Sequence, residues 1–253
     1  MKKISVVIHT YNSEKYIERC IKSVIKADEI IVCDMHSTDK STEIAESLGC
    51  KVVYFDNVGF VEPARNFANS QVTSDYFLIL DSDEYASEGL IDYLKDYINN
   101  NDEFEGARIP YRNEVLGKIL KSYSKAGILR FFKKGCVDYK PIVHIMPAVK
   151  GKIISLPQKP NVYITHTMVD DLNEHILKWN HYTSLEVEKS LSRGKKFVLR
   201  NLLLRPIGEF FKLYFLKGGF RDGLHGFIFA IIGTHYKFMQ SVKLWNHELK
   251  TSN

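Results

Sequence analysis

Four runs of apolar residues recur in the first eighty positions of the chain, and polar stretches separate them. The runs cover residues 4–10, 29–34, 51–55 and 75–80. Between them, apolar residues spaced three and four apart predict helices at residues 14–27, 41–49 and 63–72. Buried strands of a parallel sheet carry continuous rather than alternating apolar residues, because both of their faces are covered. The pattern therefore predicts an α/β fold, with a mostly parallel central sheet and helices on both faces.

The pattern changes after residue 85. Residues 86–101 predict one more helix, and the short β-like pieces that follow up to residue 166 predict a mixed or antiparallel extension of the sheet. From residue 170 onward the chain has helical periodicity. We therefore predict two regions, a sheet-containing domain at residues 1–168 and a helical, basic extension at residues 169–253.

Composition and the first residues of the chain narrow the class of protein. Apolar residues make up 45% and charged residues 26% of the sequence, as in ordinary globular proteins. The apolar run after the first two lysines is too short for a signal peptide, and the four cysteines lack the CxxC spacing of a metal or redox motif. We expect a cytoplasmic protein with reduced, structural cysteines.

Positive charge is concentrated in the C-terminal third. Residues 195–221 contain seven Lys or Arg residues and a single Glu, interleaved with Leu, Phe and Tyr. This composition fits peripheral contact with the cytoplasmic face of an anionic membrane, and it fits equally a helical layer packed on the sheet. No motif that reads a nucleic-acid groove accompanies it, so we expect no nucleic-acid partner. The longest uncharged piece, residues 223–236, is too short to span a bilayer.

Polar clusters follow the predicted strands at the same end of each. They are the stretch HTYN at residues 9–12, Asp34, the pair Arg65 and Asn66, and the stretch DSDE at residues 81–84. Ligands of open parallel sheets bind beyond the carboxyl ends of the strands, so these four clusters predict one binding site.

Asp81 and Asp83 are separated by one residue and directly follow a strand that is expected to be buried. At a strand end or a tight turn, two such carboxylates are able to converge on one hard cation. Oxygen ligands in small number suit Mg²⁺ or Mn²⁺, which completes its shell with water and substrate phosphates. The pair therefore predicts a metal site that binds a phosphate-bearing substrate.

The same stretches resemble the family 2 glycosyltransferases of the GT-A fold, and most closely the lipopolysaccharide-core type. The residues that carry this resemblance are SVVIHTYN, ADEIIVCD, ARNFA and YFLILDSDEY, with a looser similarity in the C-terminal stretch GGFRDGLHG. The resemblance implies inverting transfer of a sugar from a nucleotide-sugar donor, expected to be a UDP-sugar, to a glycan or glycolipid acceptor in bacterial surface-glycan assembly. Residues 1–168 would then be the donor-binding and catalytic domain.

The resemblance also implies roles for individual residues. The residues expected to bind the nucleotide are Thr10, Tyr11, Asn12, Asp34, Arg65 and Asp81. Within this set, Asp34 would hydrogen-bond the base, Arg65 would approach the base or the diphosphate, and Asp81 would face the ribose and the metal. Asp83 would be the principal metal ligand.

An inverting displacement needs a general base to take the proton of the acceptor hydroxyl. The related enzymes often have His-Glu at the position where this chain has His144 and Ile145. The candidate bases are therefore His144, Asp138 and Glu84, in that order. The missing Glu also leaves open a nucleotide-sugar-binding module without transferase activity.

Other readings also remain open. A nucleotidyltransferase would share the sheet and the metal, but its glycine-rich loop after the first strand is missing from HTYNSEKY. His166 is either a further metal ligand or an ordinary residue at a strand end, and Arg130 either contacts the acceptor or a phosphate, or forms a surface ion pair.

Overall fold

The structure, a computed structural model, describes residues 1–101, 103–140 and 146–251. Within these residues the strands are β1 (Ile4–Thr10), β2 (Glu29–Asp34), β3 (Lys51–Tyr54), β4 (Tyr76–Asp81), β5 (Glu84–Ala86), β6 (Gly106–Val115), β7 (Lys118–Lys133), β8 (Val137–Asp138), β9 (Ala148–Val149), β10 (Ile153–Ser155) and β11 (Ile164–Val169). The α-helices are α1 (Ile17–Ser23), α2 (Ser41–Ser47), α3 (Glu62–Ser70), α4 (Leu90–Asn100), α5 (Leu172–Leu191), α6 (Leu199–Phe211) and α7 (Leu224–Thr251). A π-helical turn (Lys212–Leu216) and a 3₁₀ helix (Gly219–Asp222) connect α6 to α7.

The central sheet has the strand order β3-β2-β1-β4-β7-β6-β11-β5, and β10 pairs with β6 at its side. Strands β1, β2, β3 and β4 run parallel, whereas β4 pairs with β7 and β11 pairs with β5 in the antiparallel sense. The register places Thr10 beside Asp34 and His9 beside Asp81. The polar strand ends therefore lie next to one another at a single edge of the sheet.

Alternation along β1 separates two apolar layers. Ile8 belongs to the core that contains Ile21 of α1 and Leu94 of α4, whereas its neighbour Val7 belongs to the core that contains Ala68 of α3. Successive side chains of a strand point to opposite faces, so a strand that is apolar at every position requires a helical layer on each side. The predicted α/β fold, with a mostly parallel sheet, helices on both faces and a helical C-terminal part, is confirmed.

Helix α1 begins three residues later than its periodicity predicts. The backbone N–H groups of Tyr16 and Ile17 both donate to the carbonyl oxygen of Ser13, at 2.9 Å each, in a turn that precedes the helix. The N–H of Ser13 donates to the Ser41 hydroxyl, and a carboxylate oxygen of Glu14 accepts from the N–H of Lys40. These bonds to the start of α2 hold residues 13 and 14 outside the helix, which a local pattern does not reveal.

Strand β7 has 16 residues, whereas the sequence predicted only short β-like pieces in this part of the chain. It begins at Lys118, directly after a two-residue turn formed by Leu116 (φ +49°) and Gly117 (φ +76°). Positive φ at both central residues is the geometry of a tight hairpin, and Asn-Gly or Asp-Gly usually occupies it. Leu116 is a rare residue there, so the sequence contains no strong hairpin signal at this position.

The chain divides into two compact units. The first comprises Met1–Arg112 and Lys125–His166, and the second comprises Asn113–Ser124 and the residues from Thr167 onward. The prediction divided the chain at residue 168 and assigned residues 113–124 to the first region, whereas the structure groups this hairpin tip with the C-terminal helices. Its apolar residues Val115 and Leu120 pack in one cluster with Val169, Leu213 and Phe229.

Asp222 fastens the hairpin tip within the second unit. Its carboxylate accepts from the backbone N–H groups of Lys121 and Ser122, at 2.9 Å each, and from the Ser122 hydroxyl. Gly219 and Gly226 pack so closely beside it that a Cβ at Gly226 would overlap the carbonyl oxygen of Gly219. The stretch GGFRDGLHG therefore has a structural role in the second unit, and close backbone approach requires glycine at positions 219 and 226.

No helix in the described ranges is both long enough and apolar enough to cross a lipid bilayer.

Candidate active site

A buried network of charged side chains lies at the end of β4. One Asp81 oxygen accepts from Arg65 Nη2 at 2.9 Å, and the other accepts from Arg130 Nη2 at 2.6 Å. The same Arg130 nitrogen donates to Glu84 Oε1 at 2.7 Å, and the Tyr111 hydroxyl donates to that oxygen at 2.7 Å. Glu84 Oε2 accepts from the backbone N–H of Asp81 at 3.0 Å. Two carboxylates, two guanidinium groups and a phenol thus form one continuous hydrogen-bonded set.

The pKa values of the two carboxylates in this network are shifted in opposite directions. Burial acts to raise the pKa of Asp81, but the guanidinium groups of Arg130 and Arg65 outweigh it and hold that pKa well below its usual range. Glu84 is only 2% exposed, and burial raises its pKa in spite of Arg130, with the negative charge of Asp81 adding to the rise. Asp81 is therefore ionised, and the Glu84 carboxylate holds it in place by accepting from its backbone N–H group.

Asp83 is directed differently from Asp81. Its Oδ2 atom lies 3.5 Å from His166 Nε2, and the two side chains are 29% and 26% exposed. Burial lowers the pKa of His166, but the hydrogen bond to the Asp83 carboxylate outweighs burial and leaves this pKa raised. His166 lies within β11, opposite Glu84 of β5, rather than at a strand end. A carboxylate and an imidazole thus face each other beside the buried network.

Hydrogen bonds join the loop that follows β1 to the loop that follows β2. The backbone N–H of Asn12 donates to the Ser37 hydroxyl at 2.8 Å, and Asn12 Oδ1 accepts from the N–H of Thr38 at 2.8 Å. Asn12 (φ +46°) and His36 (φ +60°) both have left-handed backbone. Such conformations cost free energy for residues other than glycine, and they persist where surrounding contacts impose them, often at functional sites.

Asp34 holds the second of these loops from inside. It is fully buried, and its two oxygens accept from the N–H of Ser37 at 2.8 Å and from the Ser37 hydroxyl at 2.5 Å. Thr10 is buried beside Asp34, whereas the next residue, Tyr11, is exposed. The structure therefore brings the predicted nucleotide residues together, with Asp34 engaged in shaping the loop and Tyr11 open to solvent.

The three candidate bases occupy different positions. Asp138 ends β8, is exposed, and accepts from Asn66 Nδ2 at 2.9 Å. The Asn66 side chain also bonds both backbone groups of Tyr139, which ties this loop to α3. Glu84 is enclosed by the donors described above. His144, together with Ile145, lies outside the described residues.

The sequence reading missed part of this site. Arg130 was expected at a ligand or in a surface ion pair, but it is buried and joins Asp81 to Glu84, and Tyr111 was not considered. A usable signal exists for Arg130, because it interrupts the apolar run Ile128–Phe132 and a charged residue in a buried strand needs a partner of opposite charge. The identity of that partner depends on strand order, which local sequence does not specify.

The fold and the similarity to known proteins together define the class of protein as a glycosyltransferase of the GT-A fold. Residues 5–152 match the family model "Glycosyl transferase family 2", which covers more than half of the chain. An uncharacterized glycosyltransferase of Rickettsia typhi is 30% identical over 269 residues, spanning 100% of this chain and 90% of its own length. The chain belongs to glycosyl transferase family 2, as the sequence resemblance predicted.

Two further proteins are similar over nearly the whole chain. The lipopolysaccharide core biosynthesis glycosyltransferase LpsC of Rhizobium meliloti is 27% identical, over 98% of this chain and 94% of its own length. The crystal structure of TarS residues 1–349 from Staphylococcus aureus superposes with a TM-score of 0.50 at 18% identity, over 99% of this chain and 92% of that one. The latter likeness concerns the fold alone.

Proposed function

We propose that this glycosyltransferase transfers a sugar, with inversion, from a UDP-sugar to a hydroxyl group of a lipopolysaccharide-core or related lipid-linked acceptor in bacterial surface-glycan assembly. Membership in family 2 supports sugar transfer from a nucleotide donor. The similarity to LpsC, which extends over nearly the full length of both chains, supports a lipopolysaccharide-type acceptor. The observation that carries the proposal is the buried Arg65–Asp81–Arg130 network at the carboxyl edge of the sheet.

The two arginines have capacity left for a ligand. Within the described part of the chain, Arg65 Nη1 and Arg130 Nε are buried and have no hydrogen-bond partner. A buried donor without an acceptor costs about 1–3 kcal/mol, so a ligand oxygen that supplies the acceptor is favoured. We assign Arg65 to the donor diphosphate or base, and the partly exposed Asp81 carboxylate to the ribose hydroxyls.

A divalent cation fits Asp83 and His166 better than Asp81. Asp83 Oδ2 and His166 Nε2 already face each other across 3.5 Å, whereas both Asp81 oxygens accept from arginine. Across the ranges that the structure describes, no three His, Cys, Asp or Glu side chains group as a metal site, so donor phosphates and water would complete the shell. An imidazole ligand makes Mn²⁺ a better match than Mg²⁺. When bound, the cation would offset the charge that develops on the departing diphosphate.

Asp138 is the better placed of the two candidate bases that the structure describes. It is exposed and oriented by Asn66, whereas Glu84 is enclosed by Arg130, Tyr111 and a backbone N–H group. We propose that Glu84 positions Asp81 and that Asp138 takes the acceptor proton, with His144 as the alternative base. In Asp138→Asn, we expect the acidic limb of the pH–rate profile to disappear, and in His144→Ala we expect it to stay. The reverse result would assign the base to His144.

The experiment that tests the function is a donor screen with the purified chain. A bound donor stabilises the folded state, so the correct nucleotide sugar is expected to raise the unfolding temperature, and more so with Mn²⁺. Transfer or donor hydrolysis is then measured by mass spectrometry of the products. Stabilisation by a donor without any turnover would indicate a binding module, and stabilisation by nucleoside triphosphates alone would indicate a nucleotidyltransferase.

A further inference from the structure

A ridge of exposed apolar side chains runs along α6 and the π-helical turn in the second unit. It consists of Leu199, Leu203, Ile207, Phe211 and Phe215, which follow one another at intervals of four residues, and all five are exposed. Residues four apart in a helix lie on the same face. The five therefore form one stripe, which we call the apolar ridge.

The apolar ridge continues into the 3₁₀ helix and the start of α7. Leu216 is 84% exposed, Leu224 is 68% exposed, and Phe220 lies between them with half of its surface exposed. This segment is not a loose end of the chain. Asp222 is fastened to the hairpin tip by its hydrogen bonds, and Gly218 and Gly223 provide the left-handed backbone on either side of the 3₁₀ helix. The fold itself thus keeps these side chains in water.

Positive charge accompanies the ridge. The cations within residues 199–224 are Arg200, Arg205, Lys212, Lys217 and Arg221, and all five are exposed. The acidic residues of the same range are Glu209, which pairs with Lys212 at 3.1 Å, and Asp222, which is buried in its own hydrogen bonds. Within residues 199–224, five cations thus stand against two acidic residues, so positive charge is in excess beside the apolar side chains.

We propose that the apolar ridge and its cations bind the surface of an anionic lipid bilayer. Contiguous exposed apolar area marks an interaction site, and large aliphatic and phenyl side chains between Arg and Lys are the pattern of helices that lie in the membrane interface. The excess of positive charge favours an anionic surface over a neutral protein face or a second copy of this equally basic chain. In this proposal the contact is peripheral, with the ridge lying in the interface of the bilayer.

The test is flotation of the purified full chain with lipid vesicles, which does not depend on sugar transfer. We expect flotation with vesicles of phosphatidylcholine and phosphatidylglycerol at low salt, and loss of flotation with phosphatidylcholine alone or at high salt. Each cation close to anionic lipid contributes about fivefold to binding, so Arg200→Glu/Arg205→Glu is expected to bind at least about 25-fold more weakly. Lys133→Glu/Lys134→Glu, an exposed pair at the end of β7 in the first unit with the same charge change, is the matched control and is expected to bind like wild type.

The apolar part is tested separately. Leu203→Asn and Leu216→Asn are each expected to weaken binding about tenfold, because a leucine leaves the lipid interface. Ile25→Asn, at an exposed position of the first unit, is expected to bind like wild type. Circular dichroism confirms that each variant is folded.

Three results would overturn the proposal. The first is a wild-type chain that stays with the soluble fraction at low salt. The second is equal binding by the Arg200→Glu/Arg205→Glu variant and its control. The third is a dimer, detected by light scattering, that Leu203→Asn dissociates while vesicles capture no protein, which would show that a second copy covers the ridge.

Discussion

The two units of this protein differ from the usual burial pattern in opposite ways, because the first buries charged side chains and the second exposes apolar ones. In the first unit, Arg65, Glu84 and Arg130 are withdrawn from water and join the partly exposed Asp81 in one hydrogen-bonded network. In the second unit, leucines and phenylalanines along α6 and the following turns are held in water. Buried charge is stable only when it is paired, whereas an exposed apolar side chain has little to lose on substitution. Substitutions in the two regions should therefore differ in kind as well as in size.

The largest expected loss of stability follows from removing the buried guanidinium that joins Asp81 to the buried Glu84. Arg130→Met leaves Asp81 and Glu84 without their shared partner, and breaking a buried ion pair in this way costs about 3–5 kcal/mol. The free energy of unfolding in urea measures the loss. Arg193→Met, at an exposed position of the second unit, is the control and should change little.

A double variant distinguishes the cost of leaving a charge unpaired from the cost of lost packing contacts. If the cost arises from unpaired charge, Arg130→Met/Glu84→Gln is expected to regain part of the lost stability, because the two residues are coupled. A double variant that is less stable than Arg130→Met would contradict the pairing argument.

The largest expected loss of activity without loss of fold is at Asp83. Asp83→Asn removes the charge that faces His166, and loss of one group that stabilises the developing charge of a leaving group lowers turnover by about 10²–10³. Because Asp83 is partly exposed and lies outside the Arg130 network, the free energy of unfolding should stay close to that of wild type. Initial rates with the stabilising donor measure the effect, and Glu103→Gln, a nearly fully exposed carboxylate, is the control. Wild-type turnover in Asp83→Asn would remove this residue from the site.

Replacing Asp222, in the second unit, is expected to have an intermediate effect on the free energy of unfolding, and this effect should depend on pH. Asp222→Asn weakens the bonds to the hairpin tip, which should cost about 1–3 kcal/mol in the free energy of unfolding. Burial acts to raise the pKa of Asp222, but the Ser122 hydroxyl and the backbone donors outweigh it and lower that pKa. A carboxyl with a lowered folded-state pKa stabilises the fold above its unfolded pKa of about 3.9, and this contribution is lost as the pH falls through the folded value.

The difference in stability between wild type and Asp222→Asn should therefore be constant near neutral pH and should shrink below about pH 4. Urea unfolding at a series of pH values measures it. Glu188→Gln, at an exposed position of α5, should show no such trend. A difference that grows on acidification would contradict the assignment.

The smallest effect is expected on the apolar ridge. Leu203→Asn should change the free energy of unfolding by no more than about 0.5 kcal/mol, because the side chain is already in water. Leu213→Ala, nearby in sequence but buried in the core of the second unit, should cost about 2–5 kcal/mol. A large loss in Leu203→Asn would show that the ridge is packed in the folded chain, and the contrast between the two units would fail.

Local patterns were sufficient for much of the fold. Continuous apolar strands predicted the parallel sheet. The helices predicted at residues 41–49 and 63–72 are present as α2 and α3, with Gly49 at positive φ after α2 and Pro63 in the first turn of α3. Asp171 precedes α5 as a side chain that commonly caps helices, and it accepts from the N–H of Glu174. These features depend on residues a few positions apart, which is why the sequence alone shows them.

Features that join distant residues were not visible in this way. The Leu116–Gly117 hairpin has an uncommon residue at positive φ, and α1 is shortened by bonds to residues near α2. The assignment of Asp81 as a metal ligand rested on its spacing from Asp83, and the two arginines that occupy its oxygens come from α3 and β7.

The sequence by itself determined that acidic and polar residues would stand at the ends of buried parallel strands, because strand burial and residue spacing are both local properties. It also determined where basic and apolar residues would be interleaved. Only the tertiary structure decided which carboxylate is enclosed and which is open. Strand order brings Arg130 and Tyr111 to Glu84 and leaves Asp83 facing His166, and no periodicity along the chain contains that information. The ionisation and accessibility of these acids depend on groups that approach from other strands, so their roles follow from the fold and not from the motif.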